Sequence, residues 1–109
     1  MASPLSSIVL HILLALADGK RHGYAIAEEA AQQSEGAVRL GPATLYGTLQ
    51  RLLDQQLIAT AEAPPGVDER RRYYRLTNAG RLALEAEISR MDSLVRKARL
   101  ARRTLATSK

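Results

Sequence analysis

Arg39-Leu40-Gly41-Pro42-Ala43-Thr44-Leu45-Tyr46-Gly47-Thr48-Leu49-Gln50-Arg51-Leu52 is followed by a short apolar segment, by Pro64-Pro65-Gly66, and by Asp68-Glu69-Arg70-Arg71-Arg72-Tyr73-Tyr74-Arg75-Leu76-Thr77. Gly41-Pro42 opens a helix: proline at the first helical position has no N–H to leave unpaired, and its fixed φ suits the first turn. Leu45, Leu49, Leu52 and Leu53 recur at helical spacing and form a buried side. The opposite side presents Ala43, Thr44, Gly47, Gln50, Arg51 and Asp54, with Tyr46 on the boundary. Leu57 to Ala63 then reads as a strand, Pro64-Pro65-Gly66 forces a turn, and Arg72 to Leu76 returns as the partner strand. The strand period of two places Tyr74 and Leu76 on the inner face and Tyr73 and Arg75 outward.

A helix able to lie in a DNA groove, beside a basic hairpin able to reach phosphates, is the pattern of a winged helix-turn-helix, with residues 64–71 as the wing. Ala43, Thr44 and Gly47 are small and let a backbone approach closely. Gly47 costs about 1 kcal/mol of helix stability against alanine, an odd choice for a face that only meets water. Gln50 suits adenine and Arg51 guanine or phosphate, while the Thr44 and Tyr46 hydroxyls suit phosphate oxygens. Arg70, Arg71 and Arg72 give a strong local potential for phosphate or for a narrow minor groove, which Asp68 and Glu69 partly offset. A charge run is usually a solvated face, and taken alone this one reads equally as either; its place after the helix is what raises the binding reading.

Working outward, Leu5, Ile8, Val9, Ile12, Leu13 and Leu16 form one broad helical stripe over residues 5–17, with Ser3-Pro4 as its opening and Asp18-Gly19 as its end. His22-Gly23-Tyr24 begins a second helix over residues 23–33, in which Tyr24, Ile26, Ala27, Ala30 and Ala31 face inward in various proportions. Ser34-Glu35-Gly36 breaks it, and Ala37 to Leu40 reads as a very short strand. From Thr77, an N-cap residue, a long helix is predicted to about residue 103, with residues 104–109 as a loose tail. Leu84, Ile88, Met91, Val95 and Ala98 recur along it at spacings of four, three, four and three, and Leu94 and Ala101 widen the stripe. One small domain does not need so long a seam, which points to packing against a second copy.

The chain has 109 residues, four Tyr, no Phe, no Trp and no Cys. That is room for one modest aliphatic core, and chains of this kind often gain stability by dimerising. The lack of cysteine excludes disulfides and thiolate metal sites and fits a reducing cytoplasm. Net charge is +5, but residues 93–109 hold six basic groups and no acid, so the remainder, with ten basic and eleven acidic groups, carries −1. The basic stretch reads first as the polar side of a dimer helix, with contact to flanking DNA as an alternative; a membrane role lacks an aromatic anchor. Residues 8–17 are too short to cross a bilayer. His11 and His22 are the only histidines and read as structural, so no metal or other cofactor is expected, and no catalytic constellation is recognisable.

Leu13-Leu14-Ala15-Leu16, His22-Gly23-Tyr24, Leu40-Gly41-Pro42-Ala43-Thr44-Leu45-Tyr46 and Arg71-Arg72-Tyr73-Tyr74-Arg75-Leu76-Thr77-Asn78-Ala79-Gly80 occur in this order. On these motifs the chain resembles the PadR family of bacterial transcriptional regulators over roughly residues 8–90, and its single C-terminal helix resembles the short subfamily. The resemblance implies a homodimeric repressor, with third helices in successive major grooves of a pseudo-palindromic operator and wings on flanking DNA. It carries DNA contact to Thr44, Tyr46, Gly47, Gln50 and the Arg70–Arg72 cluster, and adds Tyr24 as a backbone contact. The dimer interface would join Leu5 and Ile8 of the N-terminal helix to Leu84, Ile88, Met91, Leu94, Val95 and Ala98. Some relatives hold flat aromatic compounds between tryptophans in the dimer pore, and this chain, without Trp or Phe, departs from them.

The expected architecture is therefore mainly α with a small β-hairpin: a winged helix-turn-helix over residues 1–76 and a dimerisation helix with basic tail over residues 77–109. The expected function is a cytoplasmic, non-enzymatic regulator. Its expected partners are double-stranded DNA, a second copy of itself and an unidentified small-molecule effector, with no membrane partner. The rival readings are a winged-helix protein-interaction module, favoured by the near-neutral charge of residues 1–92, and a small-molecule sensor that does not read DNA.

Overall fold

The computed structural model describes residues 4–67 and 71–107. Its elements are α1 (Ser7–Ala15), β1 (Arg21–His22), α2 (Gly23–Gln33), α3 (Pro42–Asp54), β2 (Ile58–Ala61), β3 (Tyr73–Leu76) and α4 (Asn78–Thr107). The strands form one antiparallel sheet in the order β1-β3-β2.

Each helix starts where a side chain or a proline satisfies its first turn. Ser6 caps α1, its hydroxyl accepting from the N–H of Val9 at 3.2 Å. The helix is thus shorter than the periodicity over 5–17 predicts, because Leu5 precedes the cap and packs from an extended approach; Ser3 lies outside the described residues. Gly41 and Pro42 open α3 as expected. Glu35 and Gly36 take positive φ, 53° and 84°, and end the turn after α2.

The core gathers Ile12, Leu13 and Leu16 of α1, Ile26 of α2, Leu45, Leu49 and Leu52 of α3, Ile58, Tyr74 and Leu76 of the hairpin and Leu84 of α4. Leu53, expected inside, is only half-buried, and Thr48 takes a buried place beside Leu49 instead. Burial of Thr48 is tolerated because its hydroxyl donates to the Thr44 carbonyl at 2.7 Å.

Residues 37–40 do not form the expected strand; Val38 is buried as part of an irregular approach to α3. The third strand is instead β1, where Arg21 pairs with Tyr74 and His22 with Tyr73. Two residues carry no alternation, so periodicity gives no sign of them. β2 and β3 pair from Ile58 opposite Leu76 to Ala61 opposite Tyr73. Tyr73, expected to point outward, is buried at 8% exposure. It does lie on the face opposite Tyr74, but the His22 ring packs edge-on against it at 5.6 Å and covers it. Arg75 is exposed as expected.

Thr77 fastens α4 to the turn after α3. Its N–H donates to the Leu57 carbonyl at 3.2 Å, its hydroxyl donates to the Gln56 carbonyl at 2.6 Å, and the same oxygen accepts from the N–H of Gly80 at 3.0 Å. The first turns of α4 share the core through Leu84, so the division after residue 76 separates proposed roles within one packed unit. Glu87 is the last buried residue of α4. Its carboxylate is engaged by Arg90 and accepts from the N–H of Leu5 at 3.5 Å, which ties the N-terminal segment to α4.

Beyond Glu87 no described residue is buried, yet the helix continues to Thr107. The helix thus runs past the end expected near residue 103 and takes in most of the expected loose tail; the hydroxyls of Thr104 and Thr107 donate to the carbonyls of Leu100 and Arg103. The protrusion stretches the molecule to 60 × 30 × 24 Å.

Candidate nucleic-acid interface

On α3 the residues between the buried leucines all face outward. Ala43, Thr44, Tyr46, Gly47, Gln50 and Arg51 are exposed. A Cβ built on Gly47 would meet nothing within 4 Å, so no contact inside the chain requires glycine there. Gln50 donates to Asp54 at 3.0 Å, and the Arg51 guanidinium donates to the Thr48 hydroxyl at 3.3 Å. Such pairs, three and four residues apart on a helix surface, are worth a few tenths of a kcal/mol. Both side chains can leave them for a better partner at little cost.

A second part of the surface lies where α2, α3 and the wing base meet. An open cleft of about 610 Å³ is lined by His22, Gly23, Tyr24, Tyr46, Arg71, Arg72 and Tyr74. Tyr46 reaches it from α3. Gly23 makes that possible, since a Cβ on it would stand 2.8 Å from the Tyr46 hydroxyl and push the ring aside. Tyr24, counted among the inward residues of α2, is instead 66% exposed, with the His22 ring stacked beside it (6.5 Å between centroids, 8° between planes), while Ile26 takes the core position. The structure therefore brings Tyr24, Tyr46, Arg71 and Arg72 to one opening. Arg70 lies outside the described residues.

His22 is the organising residue of this opening, although its sequence context reads only as that of a turn histidine. Its Nδ1 accepts from the N–H of Ala25 at 3.2 Å and so caps α2. Capping is usually the work of Ser, Thr, Asp or Asn, which is why a histidine gives no cap signal. Arg21, its neighbour in β1, donates from Nε to the Ala15 carbonyl at 2.7 Å and pairs with Asp18 at 3.3 Å. That holds the strand against the end of α1.

The expected dimer residues divide into two groups. Leu84 is buried in the chain's own core, and Leu5 and Ile8 are partly buried against that core. Ile88, Met91, Leu94 and Val95 are exposed large hydrophobics, and Ala98 is exposed beside them. Glu87, at the inner end of this stripe, does not figure in the apolar pattern because it is an acid.

Among the described residues no group of three or more metal-ligating side chains occurs, and no helix is long and apolar enough to cross a membrane. The two histidines lie in separate settings. Nδ1 of His11 is buried without a hydrogen-bond partner among the described residues.

Comparison with known proteins gives a consistent result. Residues 12–86 match the model of the transcriptional regulator PadR-like family. The chain is 46% identical over 83 residues to an uncharacterized 37.1 kDa protein in transposon TN4556 of Streptomyces fradiae, a match covering 76% of this chain and 22% of that protein. It is 38% identical over 92 residues to the transcriptional regulator Rv3488 of Mycobacterium tuberculosis, covering 84% of this chain and 81% of that one. Its fold superimposes on Bacillus subtilis PadR, solved in complex with operator DNA, with a TM-score of 0.66 at 22% identity, over 79% of this chain and 48% of that one. The chain thus spans about a fifth of the Streptomyces protein and about half of the Bacillus protein.

Proposed function

The chain belongs to the transcriptional regulator PadR-like family, and from that premise we propose that it is a homodimeric repressor that reads a pseudo-palindromic operator in double-stranded DNA. In this reading α3 enters the major groove, with Gln50 and Arg51 at base edges and Ala43, Thr44 and Gly47 allowing close approach. Tyr24, Tyr46, Arg71, Arg72 and Arg70 hold the phosphate backbone and position the reading helix. Residues 1–76 supply the DNA-binding unit and residues 77–109 the dimerising rod, which would set the half-sites about one helical turn apart. The observation that carries the proposal is the outward face of α3: small residues flanked by Gln50 and Arg51, with a tyrosine and arginine cleft adjoining through Tyr46.

Replacing Gln50 and Arg51 together by alanine tests it. Retention of duplexes selected from random DNA should be lost while sedimentation still shows the dimer. Unchanged retention would favour the protein-interaction reading that the near-neutral residues 1–92 allow. The wild-type protein should also lose affinity by roughly a thousand-fold or more between about 50 and 200 mM salt if six or more phosphates are neutralised. A flat salt response in fluorescence anisotropy would remove the arginine cluster from the interface.

Gly47 provides a test in which stability and binding move oppositely. With nothing within 4 Å of its Cβ position, Gly47→Ala should stabilise the helix by about 1 kcal/mol. A methyl group between backbone and groove should at the same time weaken DNA binding by about ten-fold, a cost of the size of a small overpacking. Higher melting temperature with undiminished affinity would mean that α3 does not approach DNA at this point.

A further inference from the structure

At the mouth of the cleft two hydrogen-bond donors face each other. The Ala25 backbone N–H donates to Nδ1 of His22 at 3.2 Å. A backbone N–H only donates, so Nδ1 must hold the lone pair, and the proton of the neutral ring then sits on Nε2. Nε2 lies 3.4 Å from Nη1 of Arg71. A guanidinium has donors and no acceptor. The His22–Arg71 approach is therefore N–H against N–H, and neither group satisfies the other.

The ring is not free to turn away from this conflict. The cap holds one edge, Tyr73 meets it edge-on at 5.6 Å, and Tyr24 stacks on its face. Both donors border the same opening, next to the Tyr46 ring, whose hydroxyl lies over Gly23. Among the described residues no carboxylate lines this opening, and an anionic acceptor suits it, since it would also answer the Arg71 charge. Gln50 and Arg51 do not line this opening.

We propose that His22 and Arg71 form a two-donor seat for the non-bridging oxygens of one DNA backbone phosphodiester, with His22 acting as a neutral Nε2–H donor. The seat rests on the DNA-binding reading above and adds to it a residue and a protonation state. Because the ring is uncharged in this role, it contributes hydrogen bonding without displacing a counterion. Arg71 contributes both.

His22→Asn separates the two. Asparagine caps a helix as well as any residue, but its side chain offers no donor at the position of Nε2. His22→Asn should melt close to the wild type and bind a selected duplex and a scrambled duplex about ten-fold more weakly, with an unchanged slope of log affinity against log salt. Arg71→Ala should weaken both duplexes and make that slope shallower by about 0.9 for each phosphate that Arg71 neutralises. The double variant should lose less than the product of the single losses, since both groups serve one phosphate. In the wild-type protein, ¹⁵N-detected imidazole spectra should show His22 as the Nε2–H tautomer, with that resonance shifting when duplex is added.

The proposal is overturned by wild-type affinity in His22→Asn, by a slope that changes in His22→Asn as it does in Arg71→Ala, or by an Nδ1–H tautomer. The second of these would mean that the ring merely positions Arg71. The tautomer measurement decides the matter even if His22→Asn does not fold. If the wild-type protein retains neither duplex, the DNA-binding reading itself is lost; retention with an insensitive His22 overturns the seat alone.

Discussion

Ile88→Asp and Val95→Asp are each expected to convert the proposed dimer to monomers, raising its dissociation constant by roughly a thousand-fold. The physical reason is the unsupported length of α4. A helix of 30 residues spans about 45 Å, and its own domain covers it only as far as Glu87. A single helix of the remaining length is marginal in water without a packed face. Ile88 and Val95 are 47% and 45% exposed in the single chain, on a stripe that continues from the buried Leu84. A carboxylate introduced there would leave water unpaired on association, at an effective cost of about 4 kcal/mol, which is about three decades in affinity. In the monomer the same carboxylate faces solvent and costs little, so the circular dichroism of the globular part should persist. Sedimentation equilibrium showing dimers for both variants would place the interface elsewhere. Leu84→Asp makes the informative contrast: because Leu84 is in the core, it should unfold the chain rather than merely dissociate it.

Gly80→Ala is expected to lower stability by about 3 kcal/mol, and the melting temperature by roughly 12–20 °C for a domain of this size. An added Cβ would stand 2.0 Å from the Leu57 carbonyl oxygen and 3.1 Å from its carbon. Neither atom belongs to a flexible side chain. The helix cannot slide to make room, because Thr77 is bonded to both Gln56 and Leu57 and holds the Gly80 N–H as well. Gln56 is itself in the left-handed region at φ 61°, so the turn has little conformational freedom to absorb a shift. Relief would come by lifting α4, which would draw Leu84 out of the core. Set against Gly47→Ala, the same change of one hydrogen to methyl is expected to act with opposite sign, since one glycine is enclosed by backbone and the other by nothing. A melting curve for Gly80→Ala superimposable on the wild type would mean that α4 does not start against the Leu57 turn.

The interface is legible to different depths at different residues. Pro42 and the leucines of α3 declare the helix and its orientation, because proline chemistry and a 3.6-residue period are local properties of the chain. Ala43, Thr44, Gly47, Gln50 and Arg51 follow from the same period, and all are exposed. Tyr73 does not follow. Strand alternation correctly separates it from Tyr74, but what covers the second face depends on His22, which lies far earlier in the chain than the return arm of the wing hairpin. The periodicity understates the length of α4 because Arg102 interrupts the apolar seam, whereas the alanine, leucine and arginine of its last turns are good helix formers and carry it on.

The amino-acid sequence alone determined the order of the helices and the hairpin, most of the core, the outward residues of α3 and the family resemblance, because each of these is carried by neighbours a few residues apart. Only the tertiary structure decided that β1 completes the sheet, that Tyr73 is covered, that Gly80 must be glycine, and that His22 meets Arg71 at the mouth of one cleft. Those are contacts between segments far apart in the chain, and a local period holds no information about which distant surface will arrive to fill a given side.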